Sequence, residues 1–187
     1  MPETMTKLYL RVVAGDELTE NTRAALERKL VAEPPACVRL ILPETAQSAE
    51  SLWDFATLCD AHALPFVIAG QVDQAIAAAK QCRADGIHID DAPGQIGQAR
   101  KTLGKDAIIG VETGAERHAA ITAAEAGADY VALNPVWEGD TVPDFVQFWS
   151  EAIEIPAVIE NAPSERARSA LMGIADFIAI DLQPPAR

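Results

Sequence analysis

One pattern recurs three times along this chain: Ala84-Asp85-Gly86-Ile87-His88-Ile89-Asp90, Ala128-Asp129-Tyr130-Val131-Ala132-Leu133-Asn134 and Ala175-Asp176-Phe177-Ile178-Ala179-Ile180-Asp181. Each copy opens on Ala-Asp and closes, five residues after that Asp, on Asp or Asn. The copies lie about 45 residues apart, too far for one strand-helix unit and right for two. The repeat therefore marks every second strand of a larger parallel array. A (β/α)8 TIM barrel is the natural closure of such an array.

Apolar, strand-length runs alternate with helix-like segments from end to end, as a parallel α/β fold requires. The pattern predicts strands over Leu8–Val13, Cys37–Leu42, Phe66–Ala69, Gly86–Asp90, Ile108–Glu112, Tyr130–Asn134, Ala157–Glu160 and Phe177–Asp181. Helices are predicted over Thr19–Ala32, Ala49–His62, Val72–Arg83, Gly94–Leu103, Ala115–Ala126, Pro143–Ile153 and Ser164–Gly173. After the last strand, Pro184-Pro185 cannot continue a helix interior, so the eighth helix is expected to be missing or very short. All 187 residues are read as a single domain, because no stretch is rich enough in Pro, Gly or Ser to act as a linker. A seam is expected beside the last strand, either partly solvated or covered by a second copy in a homodimer.

Hydrophobic residues make up 49% of the chain, yet every apolar run is strand-length, which argues against a membrane span. Met1 to Lys7 lacks the basic start and apolar stretch of a secretory leader, and a soluble, cytoplasmic protein is expected. Cys37, Cys59 and Cys82 are widely spaced and odd in number, which reads as reduced core thiols. A net charge of −13 argues against nucleic acid or an anionic membrane as partner and leaves a small molecule as the expected ligand.

Strand parity turns the repeat into a map of the site. Ile87 and Ile89, Val131 and Leu133, and Ile178 and Ile180 share one face and suit packing under helices. The opposite face, towards the barrel axis, then carries His88 and Asp90, Ala132 and Asn134, and Ala179 and Asp181. Active sites of this fold sit at the carboxyl ends of the strands, so Asp90, Asn134 and Asp181 are expected to ring the mouth. Gln71 after the third predicted strand, Glu112 at the end of the fifth, and Glu160 with Asn161 at the end of the seventh extend the ring. Converging carboxylates suit a divalent cation such as Mg²⁺ or a cationic ligand. Capping of the following helix is the competing role for each of them.

Adjacent Asp90 and Asp91 form the strongest local candidate for metal binding. His88 is a candidate acid or base, against the alternative of a hydrogen-bonded filler, and Glu112 is a second catalytic candidate. Trp137, in the loop after strand six, offers a surface for stacking on a flat ring, or anchors the loop by packing. Phosphate cradles of the P-loop or Rossmann kind, a serine nucleophile elbow and a zinc-protease helix are all absent from the sequence.

Val72-Asp73 with Ala75, then Ala84-Asp85-Gly86-Ile87-His88, Ile109-Gly110-Val111, and Ala126-Gly127-Ala128-Asp129-Tyr130-Val131 followed by Asn134-Pro135 carry a resemblance. In order and spacing this set closely resembles the thiamine phosphate synthase family, whose barrel the thiazole tautomerases share. The resemblance implies a transferase of thiamine biosynthesis that joins an aminopyrimidine diphosphate to a thiazole phosphate, with Mg²⁺ helping the diphosphate leave. The functional positions differ from that pattern. The family's Gln-x-Arg-x-Lys set after strand two aligns with Leu40, Leu42 and Glu44, and its Asn-Asp pair after strand three with Ala69 and Gly70. Its second metal Asp aligns with Asp91.

The Ser after strand five is replaced by Glu112, and the Thr-x-Thr-Lys loop is reduced to Thr141. The phosphate-binding Gly-Gly after strand seven reads Glu160-Asn161, and the Ser-Ala after strand eight reads Asp181-Leu182. A phosphate dianion held about 4 Å from an uncompensated carboxylate costs on the order of several kcal/mol at an effective dielectric of about 20. The expectation is a diverged thiamine phosphate synthase-like protein, weak or inactive in thiamine phosphate formation, and so a candidate pseudoenzyme. In that reading Asn134, Trp137, Thr141, Glu160, Asn161 and Asp181 are the ligand-binding candidates. Two alternatives stay open: a metal-assisted isomerase or lyase with an acidic mouth, and a non-catalytic binder of a cationic heterocycle.

Overall fold

A computed structural model describes residues 5–13, 20–43, 49–90 and 93–182. Eight strands alternate with seven helices along these residues. The strands are β1 (Lys7–Val13), β2 (Cys37–Ile41), β3 (Phe66–Ala69), β4 (Gly86–Asp90), β5 (Ile108–Gly114), β6 (Tyr130–Leu133), β7 (Ala157–Ile159) and β8 (Phe177–Asp181). The helices are α1 (Glu20–Ala32), α2 (Ala49–Ala61), α3 (Val72–Cys82), α4 (Pro93–Leu103), α5 (Arg117–Glu125), α6 (Asp144–Ala152) and α7 (Glu165–Leu171). All neighbouring strands pair in parallel, in chain order, and β8 returns to β1 to close the barrel. The predicted order of elements is thus found. The main difference is β5, which runs on to Gly114 through a register irregularity against β6 between Glu112 and Gly114.

Two apolar layers follow from strand parity. The larger lies between strands and helices and takes one face of each strand, including Leu10, Val12, Val38, Leu40, Ile87, Ile89, Val131, Leu133 and Ile178. The smaller fills the barrel itself with Tyr9, Cys37, Val67, Tyr130, Ala132, Val158 and Ala179. Tyr130 occupies space left by the missing side chain of Gly110 on the next strand, where a Cβ would lie 1.9 Å from the phenol ring. The three cysteines are buried and unpaired, and burial pushes the thiols of Cys37 and Cys59 up to about 12.

The aspartate of each repeat copy has a single shared task. Asp85 accepts the backbone N–H of Phe66 at 2.8 Å, Asp129 that of Ile109 at 2.7 Å, and Asp176 that of Ala157 at 3.0 Å. Each even strand so ties down the amino end of the odd strand before it, satisfying a donor at the barrel floor. Asp129 also takes a hydrogen bond from Arg100 of α4 at 2.7 Å.

Beside β8, between α1 and α7, runs a groove of about 1260 Å³ lined in part by Leu8, Met172, Ile178 and Ile180. This is where the sequence leads one to expect a seam, and the chain that follows it lies outside the described residues. Among the described residues no helix is long and apolar enough to cross a membrane.

Candidate functional site

The barrel interior is polar only at its upper end. Above the apolar layer, β2 sends Arg39 inward and β4 sends His88, both almost fully buried, with relative exposures of 3% and 2%. Arg39 presents Nη1 to His88 Nε2 at 2.7 Å. A guanidinium can only donate, so Nε2 is the acceptor and the imidazole proton sits on Nδ1. Nδ1 in turn meets the Tyr130 hydroxyl at 2.9 Å, and Tyr130 shares a short hydrogen bond with Tyr9. Burial, reinforced by the charge of Arg39, lowers the His88 pKa well below its ordinary value. His88 is therefore a neutral spacer between a cation and two phenols.

The second Nη of Arg39 donates to Glu160 Oε1 at 2.5 Å, and Arg11 of β1 donates to the other carboxylate oxygen. Arg11 also grips Asp181 with a two-pronged fork, Nε to Oδ1 and Nη2 to Oδ2, each at 2.8 Å, and reaches Asn161 Oδ1 at 3.1 Å. Asn161 can present that oxygen because its backbone takes a left-handed φ of 52°, which Asn tolerates better than most residues. Burial works against the charge of Arg39, but Glu160 and the two phenols outweigh it and raise its pKa.

These groups form one side of an open cavity of about 680 Å³ at the carboxyl ends of the strands. Asp90 and Glu112 form the facing side as register partners on β4 and β5. Burial raises the pKa of both carboxyls, and the charge of Glu112 adds to the effect on Asp90. Glu112 Oε2 lies 3.9 Å from His88 Nε2. The rim is supplied by amides, among them Gln71 and Gln74 at the start of α3, Gln95 and Gln98 on α4, and Asn134 after β6.

The structure brings together Gln71, His88, Asp90, Glu112, Asn134, Glu160 and Asn161 of the residues singled out by sequence. Asp181 joins them only through Arg11. Trp137 and Thr141 do not line the cavity. Trp137 is half-buried against the outer core, with its indole nitrogen left without a partner, and the exposed Thr141 bridges to Glu138 within the loop. Asp91 lies outside the described residues, as does Glu44.

Sequence reasoning missed Arg11 and Arg39. Along β2 and just beyond it, Leu40 packs under the helices, while Arg39, Ile41, Leu42 and Pro43 line the cavity. The signal was present: an arginine inside the apolar run Cys37-Val38-Arg39-Leu40-Ile41-Leu42 has to find a buried counter-charge. Two cations therefore stand in a mouth expected to hold none. Among the described residues no three His, Cys, Asp or Glu side chains converge as metal ligands. Glu160 and Asp181 are engaged by arginines, and Ala69 and Gly70 line the cavity without a ligating side chain. The described donors thus do not make an oxygen-rich cradle for Mg²⁺.

Comparison with known proteins accords with this architecture. A family model described as thiamine monophosphate synthase matches residues 10–159. A thiamine-phosphate synthase of Erythrobacter litoralis is 36% identical over 147 residues, 73% of this chain and 66% of that protein, just under two thirds of its length. The corresponding protein of Hyphomonas neptunium is 30% identical over 192 residues, covering 96% of this chain and 86% of its own. Among solved structures, thiamine phosphate pyrophosphorylase from Pyrococcus furiosus superposes with a TM-score of 0.71 at 18% identity, over 96% of this chain and 86% of that one. The tryptophan synthase α-subunit of the same organism gives 0.73 at 13% identity, over 96% and 88%, so these structural likenesses speak for the barrel alone.

Proposed function

The chain belongs to the thiamine monophosphate synthase family, and from that premise we propose that it is a diverged member whose cavity takes a neutral or cationic nitrogen heterocycle and forms thiamine phosphate weakly or not at all. One observation carries the reading. Both guanidinium groups that reach the cavity among the described residues are already engaged by Glu160 and Asp181, while Asp90 and Glu112 face the space between. A phosphate entering here meets carboxylates before it meets a free cation. An amino-substituted ring meets acceptors at Asp90 and Glu112 and a rim of amides able to donate or accept.

Thermal shift with the aminopyrimidine and thiazole precursors of thiamine, with and without their phosphates, tests this reading. The unphosphorylated compounds should raise Tm and the phosphorylated ones should not, and the reverse order overturns the proposal. Turnover of the two phosphorylated precursors at the rate of an ordinary family member would overturn it equally.

A second reading, proton-transfer catalysis, draws on the raised pKa of both Asp90 and Glu112, which brings a carboxyl closer to the protonation needed of a general acid. It requires that Glu112→Gln abolish turnover of an isomerisable heterocycle while leaving its binding in place.

A further inference from the structure

Glu160 is an unusual neighbour for a ligand cavity. It is 2% exposed, yet it lines the opening, and both its oxygens are taken by guanidinium groups from different strands. Two arginines converging on one buried oxyanion is the arrangement by which proteins hold phosphate or carboxylate ligands. Here the oxyanion is tethered to the chain. The donors also exceed what the tether satisfies, because Arg39 Nε is buried with no hydrogen-bond partner.

Resting on the reading above, that the cavity does not accept phosphorylated ligands, we propose that Glu160 is the residue that sets this preference. Its carboxylate acts as a built-in substitute for a ligand oxyanion and closes a latent anion site made by Arg11 and Arg39. The position of Arg39 is fixed independently of Glu160. His88 Nε2 holds its Nη1 from the opposite side, and the Tyr9 ring lies beneath its guanidinium, 5.4 Å from the ring centre. Removing the carboxylate therefore leaves a positioned, desolvated cation facing the cavity, which an external anion can pair with.

The experiment compares the wild-type chain, Glu160→Ala and the double variant Arg39→Gln/Glu160→Ala in titrations with inorganic phosphate, at constant ionic strength. Glu160→Ala should start with a lower Tm, because a buried cation has lost its partner. Its Tm should then rise by about 3–5 °C for each tenfold increase in phosphate above the dissociation constant. The wild type and the double variant should stay flat over the same range. A flat Glu160→Ala overturns the proposal, as does a wild type or a double variant that responds as strongly.

Should Glu160→Ala not fold in chloride, the yield of refolding in phosphate against chloride reads the same property. Recovery in phosphate alone supports the proposal, and equal yields overturn it. The reading under Proposed function fails on other measurements, namely wild-type turnover or a wild-type preference for phosphorylated ligands.

Discussion

His88 shows how a single side chain changes meaning between sequence and structure. On a strand pattern it is an inward, titratable ring near a mouth, while in the barrel its two nitrogens are both engaged, by Arg39 and by Tyr130. Its pKa is lowered on folding, so the unfolded chain takes up the proton first. The stabilisation it gives is present above about pH 6.5 and is lost as pH falls below that, at up to about 1.4 kcal/mol per pH unit. Chemical denaturation of wild type and His88→Gln should accordingly show a stability gap that narrows from pH 7.5 towards pH 5.5, whereas a constant gap would sink the neutral-spacer reading. Asp90 and Glu112 have the opposite sign. Their folded pKa values are raised, so their favourable contribution exists below about pH 4 and disappears as pH rises through the raised values. Glu112→Gln is expected to raise Tm at pH 7, with the gain vanishing in acid.

At the scale of the element, the repeat proves to have two ends with different work. Its aspartate serves the floor, where Asp85, Asp129 and Asp176 each accept a backbone N–H from the preceding odd strand. Its last residue serves the mouth. Asp90 and Asn134 line the cavity, and Asp181 holds Arg11. Replacing any of the three floor aspartates by Ala leaves a strand-end donor unpaired and should cost about 1–3 kcal/mol, read as a shift in the urea midpoint at unchanged m-value. Asp129→Ala should be the most damaging, because it also releases Arg100. Three equal and negligible losses would show that the aspartates are surface residues with no capping role. Period-two alternation made the mouth end readable in advance, but the task of the floor aspartates was not, since the capped strand lies about 20 residues away and only pairing brings it close.

For the whole molecule, the net charge of −13 overstates how acidic the cavity is. Much of the excess lies elsewhere and repels itself through solvent, so Tm should rise as NaCl goes from about 10 mM to about 150 mM, whereas the buried Arg39–Glu160 pair is screened far less. A flat or falling Tm would show that the surface charges are already compensated. The succession of strands and helices, and the inward face of the three repeat strands, are determined by sequence alone, because alternation along a strand and the strand-helix rhythm are local properties that need no distant partner. The electrostatic character of the mouth is not. Arg11 and Glu160 are separated by 149 positions, and Arg11 and Asp181 by 170. They meet only because β8 closes onto β1. Closure therefore turned a ring of carboxylates into a mouth whose two arginines are held by its own acids, and that pairing exists in no stretch of sequence short enough to read.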